Sequence, residues 1–235
     1  MRFNWNKILL FFILILSIGI LYASNIKNNS RTIDNVNISI KPKSNYFISN
    51  DSIRSLINNE FNFHKDSIYL SRIEKIIDSN TYVEKSEVYK TVGDQLEITV
   101  IQKEPIARII SSDSIFYLDK NSNFMSLSEL QSVKVPIIFG YNEFSDLRFL
   151  TNISLMIKED IFLNKNISQI LIDQEQRISL KLKGFKTIIE IGDNKNLKNK
   201  IQNLKAFYNR AFTKNEIDKY KKLNLQFENQ VVAVK

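Results

Sequence analysis

The sequence contains no cysteine and one histidine, His64. A disulfide framework, a Cys-ligated zinc, a thiol nucleophile and an iron–sulfur cluster are thereby excluded, as are a His-rich metal site and any two-histidine mechanism. Glycine is nearly as scarce, and the five present (Gly19, Gly93, Gly140, Gly184, Gly192) never lie within seven residues of one another. Neither G-x-G-x-x-G nor G-x-x-x-x-G-K fits that spacing, so phosphate-cradling loops are absent. What is plentiful is isoleucine (36), asparagine (27) and lysine (25), in a chain of 235 residues that is 43% hydrophobic. Such a chain can build one or two compact domains with ordinary cores. Composition points away from most enzyme classes and towards a binding or structural role.

The net charge of +8 is unevenly placed. Between Lys181 and Lys222 stand twelve Lys or Arg against four acids, Glu190, Asp193, Glu216 and Asp218, which accounts for the whole excess. Two explanations stand side by side: a surface that attracts an acidic partner or anionic lipid, or an AT-rich genome in which lysine is the default surface residue.

Ile8 to Ala23 carries no charge, and only Ser17 and Gly19 interrupt its apolar run. Extended back to Phe3, with Lys7 snorkelling, it would rise about 31 Å as a helix, enough to cross ~30 Å of hydrocarbon. Trp5 and Tyr22 fall where interfacial rings are favoured. The expectation is an uncleaved signal anchor at 8–23 with residues 1–7 in the cytoplasm and the bulk outside. A cleaved signal peptide is the alternative, since the run is near h-region length and Ala23-Ser24 is small.

After a polar linker, 24–34, Val36, Ile38 and Ile40 alternate as in a strand. Ser49 or Asn50 can cap a helix whose inward face is Ile53, Leu56, Ile57 and Phe61, and a second helix presents Leu70, Ile73, Ile76 and Ile77. Val83 to Lys90 and Gln95 to Val100 read as strands joined by a turn at Gly93. The order is strand, helix, helix, strand, strand. Further on, strands are expected at Ile115 to Leu118, Phe124 to Leu127, Ile170 to Ile172, Ile178 to Leu182 and Thr187 to Ile191. One helix should present Leu147, Leu150, Ile153 and Ile157, and another Leu197, Ile201, Leu204 and Tyr208 with Lys195, Lys198, Lys200 and Lys205 between them. The chain closes with Leu223-Asn224-Leu225-Gln226-Phe227, a turn at 228–230 and a strand from Val231 to Lys235.

Asn80-Thr81-Tyr82-Val83, then Leu96-x-Ile98-x-Val100 and Lys103-Glu104-Pro105-Ile106-Ala107, resemble the end of a POTRA domain in the FtsQ/DivIB family of bacterial cell-division proteins. Val135-Pro136 through Gly140 resembles that family's L-P-x-x-x-G, and the tail looks like its closing hairpin, with Asn224 where Asp is usual. The resemblance implies an α+β fold: an anchor, a POTRA domain at 35–104 and a mixed, β-rich domain with flanking helices at 105–235. It implies a bitopic divisome scaffold that links early and late division proteins, with FtsB-like and FtsL-like partners and regulation of septal peptidoglycan synthesis. The place would be the inner membrane at the septum, with the bulk in the periplasm. Partner contacts would fall on Tyr220, Leu225, Phe227, Asn229, Val231, Val232, Ala233, Val234 and Lys235. The terminal strand, with nothing after it to cover its outer edge, is expected to accept a partner strand; the alternative is that Phe227 and the valines are simply core of the terminal hairpin.

Other chemistry is poorly supplied. His64 has no visible orienting partner. Asp119-x-Asn121-x-Asn123 begins like a calcium loop, but Phe124 and Leu130 stand at its glycine and glutamate positions, so a polar turn is expected. Glu159-Asp160 and Asp173 with Glu175 read as solvated surface, and Phe207 and Tyr208 as core rather than a nucleic-acid platform. No enzyme activity, cofactor, metal, nucleic acid or small-molecule substrate is expected. The rivals are a POTRA-bearing assembly or transport component and an anchored envelope hydrolase. The first usually carries tandem POTRA units or a β-barrel, and the second needs a nucleophile and base that this composition barely provides.

Overall fold

The computed structural model describes residues 5–29, 35–42, 47–58, 67–91, 95–213, 216–227 and 230–235. His64, Phe61, Gly93 and Asn229 lie outside them. Helix α1 (Trp5–Asn29) is longer than the expected span at both ends. Its window Leu9–Ile26 has a mean hydropathy of 2.3 and no buried side chain, so α1 is long and apolar enough to cross a membrane.

By its internal contacts the chain divides into two compact units, one of Met1–Lys43 and Ser49–Ile101, the other of Ser44–Ile48 and Gln102–Lys235. In the first, β1 (Val36–Lys41), α2 (Asn50–Ile57), α3 (Ser67–Asp78), β2 (Val83–Lys90) and β3 (Leu96–Gln102) follow in the expected order. The sheet runs β1-β3-β2, with β1 parallel to β3 from Val36↔Leu96 to Lys41↔Ile101. Ser49 caps α2, its Oγ accepting the Ser52 N–H at 3.0 Å. Ile53 and Ile57, one turn apart, are fully buried, as are Ile73 and Ile77 of α3 and Leu96 and Val100 of β3. Leu56 does not join them: on a helix of eight residues centred on the Ile53/Ile57 stripe it falls to the flank, and it is exposed. Strand β2 ends the sheet, yet α3 occupies backbone donors along it. The Ser86 N–H reaches Asp78 Oδ1 at 2.6 Å and the Val88 N–H reaches Glu74 Oε1 at 2.9 Å.

The second unit contains β4 (Pro105–Ile110), β5 (Ile115–Asp119), β6 (Phe124–Met125), β7 (Ile137–Phe139), α4 (Leu147–Glu159), α5 (Ile161–Asn166), β8 (Ile167–Ile172), β9 (Ile178–Leu182), β10 (Ile188–Gly192), α6 (Leu197–Thr213), β11 (Lys222–Asn224) and β12 (Val232–Val234). Among the described residues its strands form one nine-stranded sheet, ordered β12-β11-β10-β9-β8-β7-β4-β5-β6. Register aligns Ile109, Ile138, Ile170, Leu180, Ile189, Leu223 and Ala233 in a single row across seven strands. The first six are at most 2% exposed and belong to one core cluster with Leu150, Ile153 and Ile157 of α4 and Leu197, Ile201, Leu204 and Tyr208 of α6. Their strand neighbours Gln169, Ser179, Lys181, Glu190 and Asn224 point to the other face and are half-buried. Gly140 must be glycine: its φ is +82°, and a Cβ there would lie 2.2 Å from the Ile172 carbonyl oxygen.

Candidate functional site

The terminal hairpin is set in place by a crossover. Strands β10 and β11 are parallel neighbours, which requires a long connection between them, and α6 supplies it while burying Leu197, Ile201, Leu204, Tyr208 and Ala211. Ahead of α6 the chain turns at Gly192 (φ +73°), where a Cβ would meet the Gln226 side chain at 2.8 Å. Lys200, expected on the surface, is buried. Its Nζ donates to the Ile191 carbonyl at 2.9 Å, the Asp193 carbonyl at 3.0 Å and Asp193 Oδ1 at 3.0 Å, closing the β10–α6 turn. The Lys200 hydrogen bond holds the Asp193 carboxyl below the usual carboxylate range, against the opposing effect of burial.

Strand β12 pairs antiparallel with β11, through Lys222↔Val234, Leu223↔Ala233 and Asn224↔Val232, and ends the nine-stranded order. The Val234 carbonyl accepts the Lys221 N–H at 2.8 Å, so the backbone groups of Val234 turn inward. Backbone groups of successive strand residues point to alternate sides, which leaves the N–H and C=O of Ala233 pointing outward. The side chain of Ala233 faces the core row, while Val232 and Val234 are 39% and 48% exposed on the other face.

The expected contact residues divide. Phe227 is half exposed, on the rim of a polar recess of about 270 Å³ that Lys200, Asn203 and Gln226 help to line. Val232, Ala233, Val234 and Lys235 lie on the open edge. Leu225, by contrast, is 1% exposed and belongs to the core, its N–H bonded to the Glu190 carbonyl at 2.9 Å. Tyr220 is half-buried, meets Phe207 edge-on at 5.4 Å and accepts the Thr187 hydroxyl on its carbonyl. Val231 packs partly against the core.

The remaining candidates resolve into local structure. Asp119 is buried and accepts the N–H groups of Asn121 and Asn123, both at 2.8 Å, with Ser122 in the left-handed region: a polar turn, as expected. Asp173 accepts from the backbone of Glu175 and Arg177 and pairs with the Arg177 guanidinium. Asp160 departs from the solvated reading: it caps α5, a helix absent from the expected set, by accepting the Leu163 N–H, and pairs with Lys205. Burial pushes its carboxyl up, but Lys205 and the Leu163 N–H outweigh that and hold it low. Tyr208 is core, and Phe207 packs partly against it. Among the described residues no three His, Cys, Asp or Glu side chains cluster as a metal site would require.

A family model, FtsQ/DivIB, C-terminal related, matches residues 104–234. The chain belongs to this FtsQ/DivIB family. The match begins one residue before β4 and covers every strand of the nine-stranded sheet. A comparison with curated proteins finds no match. Membership supports a role in cell division, in a family of non-catalytic division scaffolds.

Proposed function

We propose that the chain is a bitopic scaffold of the bacterial divisome, anchored by α1 with its N-terminus in the cytoplasm. Its exported part gathers FtsB-like and FtsL-like division proteins at the septum and thereby regulates septal peptidoglycan synthesis. The strand-helix-helix-strand-strand order of the first unit supports a POTRA assignment. The observation that carries the reading is the outer edge of β12, where Ala233 holds an outward donor and acceptor flanked by two exposed valines. A partner strand added there gains backbone hydrogen bonds, and Phe227 and the valines supply side-chain choice. The exposed cations of residues 181–222, leaving out the buried Lys200 and the paired Lys205 and Lys222, favour an acidic partner and speed encounter, with a salt dependence. The test is capture of an FtsB-type extracytoplasmic segment by the full chain in detergent. Phe227→Ala, shown to be folded, should bind more weakly; if it and an edge-blocked variant both bind like the parent, docking lies elsewhere.

A further inference from the structure

A second surface lies at the opposite end of α6 from Phe227. Tyr208 and Phe212 stack there with ring planes 12° apart, Phe162 of α5 meets Tyr208 edge-on at 4.7 Å, and Phe185 completes a groove of about 870 Å³. Helix α5 is tied to α6 at both ends, by the Asp160–Lys205 pair and by the Tyr208 hydroxyl donating to Asn166 Oδ1 at 3.2 Å. The groove is therefore preformed. On its rim Ile161 is 88% exposed and Phe212 58% exposed.

Charge selects the occupant. The chain is strongly basic, yet the groove is lined by two acids, Glu159 and Asp160, and two lysines, Lys165 and Lys205. Asp160 and Lys205 satisfy each other. Glu159 and Lys165 are exposed and have no ion-pair partner among the described residues. One free charge of each sign gives no net attraction to an anionic bilayer or an acidic segment. A two-fold contact between identical surfaces, however, matches each free charge with its opposite.

We propose that this groove is a self-association surface, on which two copies of the chain meet with α5 antiparallel to α5. Ile161 of each copy covers apolar surface of the other, and Lys165 of each lies beside Glu159 of the other. Glu159 closes α4 and Lys165 stands in the last turn of α5, so the two free charges flank Ile161 along the chain. Two copies anchored in one bilayer are held at high effective concentration, so a weak contact is enough.

The test is sedimentation equilibrium of the full chain in detergent, for the parent, Ile161→Asp, Lys165→Glu, Glu159→Lys and the double reversal Lys165→Glu/Glu159→Lys. All three side chains are exposed, so the variants should keep the parent's circular dichroism. The parent should dimerise. Ile161→Asp and each single reversal should raise the dimer Kd by about tenfold or more, and the double reversal should recover most of that loss. A parent that stays monomeric, an unchanged Kd for Ile161→Asp, or a double reversal as weak as the singles would overturn the proposal. Capture of the FtsB-type segment, measured in parallel, separates the two surfaces: Ile161→Asp should capture as the parent does, and Phe227→Ala should still dimerise. Loss of capture by Ile161→Asp in a monomeric parent would assign the groove to a foreign partner and also overturn it.

Discussion

Replacing Ala233 by proline isolates the outer edge of β12 from everything else the hairpin does. The Ala233 N–H points away from β11, so its loss removes no bond of the existing ladder, and proline is tolerated on an edge strand. Folding stability should change by about 0.5 kcal/mol or less. An incoming strand, by contrast, would place a carbonyl against a donor that no longer exists. Leaving a desolvated acceptor unmet costs about 1–3 kcal/mol, which is about 5- to 150-fold in Kd. Val232→Pro is the register control. By the same alternation its N–H turns toward β11, so that variant should lose a ladder bond and about 1 kcal/mol of stability. The assay is titration of the full chain in detergent with an FtsB-type segment, beside chemical denaturation of each variant. If Ala233→Pro folds normally and binds within twofold of the parent, strand addition at β12 is refuted.

Three further outcomes are expected. Lys200→Met removes three charge-assisted bonds beneath the hairpin and should cost about 2 kcal/mol, part being recovered because Asp193 is more than half exposed; Lys198→Met should cost under about 0.5 kcal/mol in the same denaturation assay. The Asp160 carboxyl is held low in the folded chain, so its contribution is present above the unfolded carboxylate pKa and is lost as pH falls through the folded value. Asp160→Asn should therefore flatten the acid limb of the stability–pH curve, and an unchanged limb would contradict the pairing with Lys205. Fractionation with protease accessibility should find a full-length, membrane-bound chain whose C-terminus is outside, and recovery of a soluble product starting near Ser24 would instead show a cleaved signal peptide.

Periodicity made the two cores largely legible from sequence. The i, i+4 pairs Ile53/Ile57 and Ile73/Ile77 and the alternation along Leu96, Ile98 and Val100 each fix an inward face by local geometry alone. The failures lie where a residue's role depends on something distant in sequence. Lys200 sits in a helical pattern as an ordinary polar position, and only the return of the chain at Ile191 and Asp193 gives its ammonium three acceptors and permits burial. Helix α5 is six residues long, too short for a period to stand out, and its one local signal is Asp160 three residues before Leu163. Leu225 obeyed the alternation of a strand, but which face was core depended on α6 packing over Leu223 and its row, information held in strand order rather than in the pentapeptide.

Edges, more than cores, decide what such a chain can bind. Of the two strands that end the smaller sheet, β1 and β2, the second has its Ser86 and Val88 donors already taken by Asp78 and Glu74, so a foreign strand arriving there would have to displace them. Strand β6, at one margin of the large sheet, is two residues long and offers little ladder. Strand β12 has an outward donor and acceptor and apolar neighbours, with Lys221 and Lys235 beside it and Lys222 paired to Glu190 at 2.7 Å. Two copies joined edge to edge through β12 would set these cations against their own kind, which discourages self-pairing and favours a strand carrying acids. The α5–α6 groove has the opposite character, with one unpaired charge of each sign beside exposed Ile161. If both proposals hold, charge separates the two surfaces: the basic edge disfavours a second copy and favours an acidic strand, the neutral groove accepts a second copy, and the two partners would not compete.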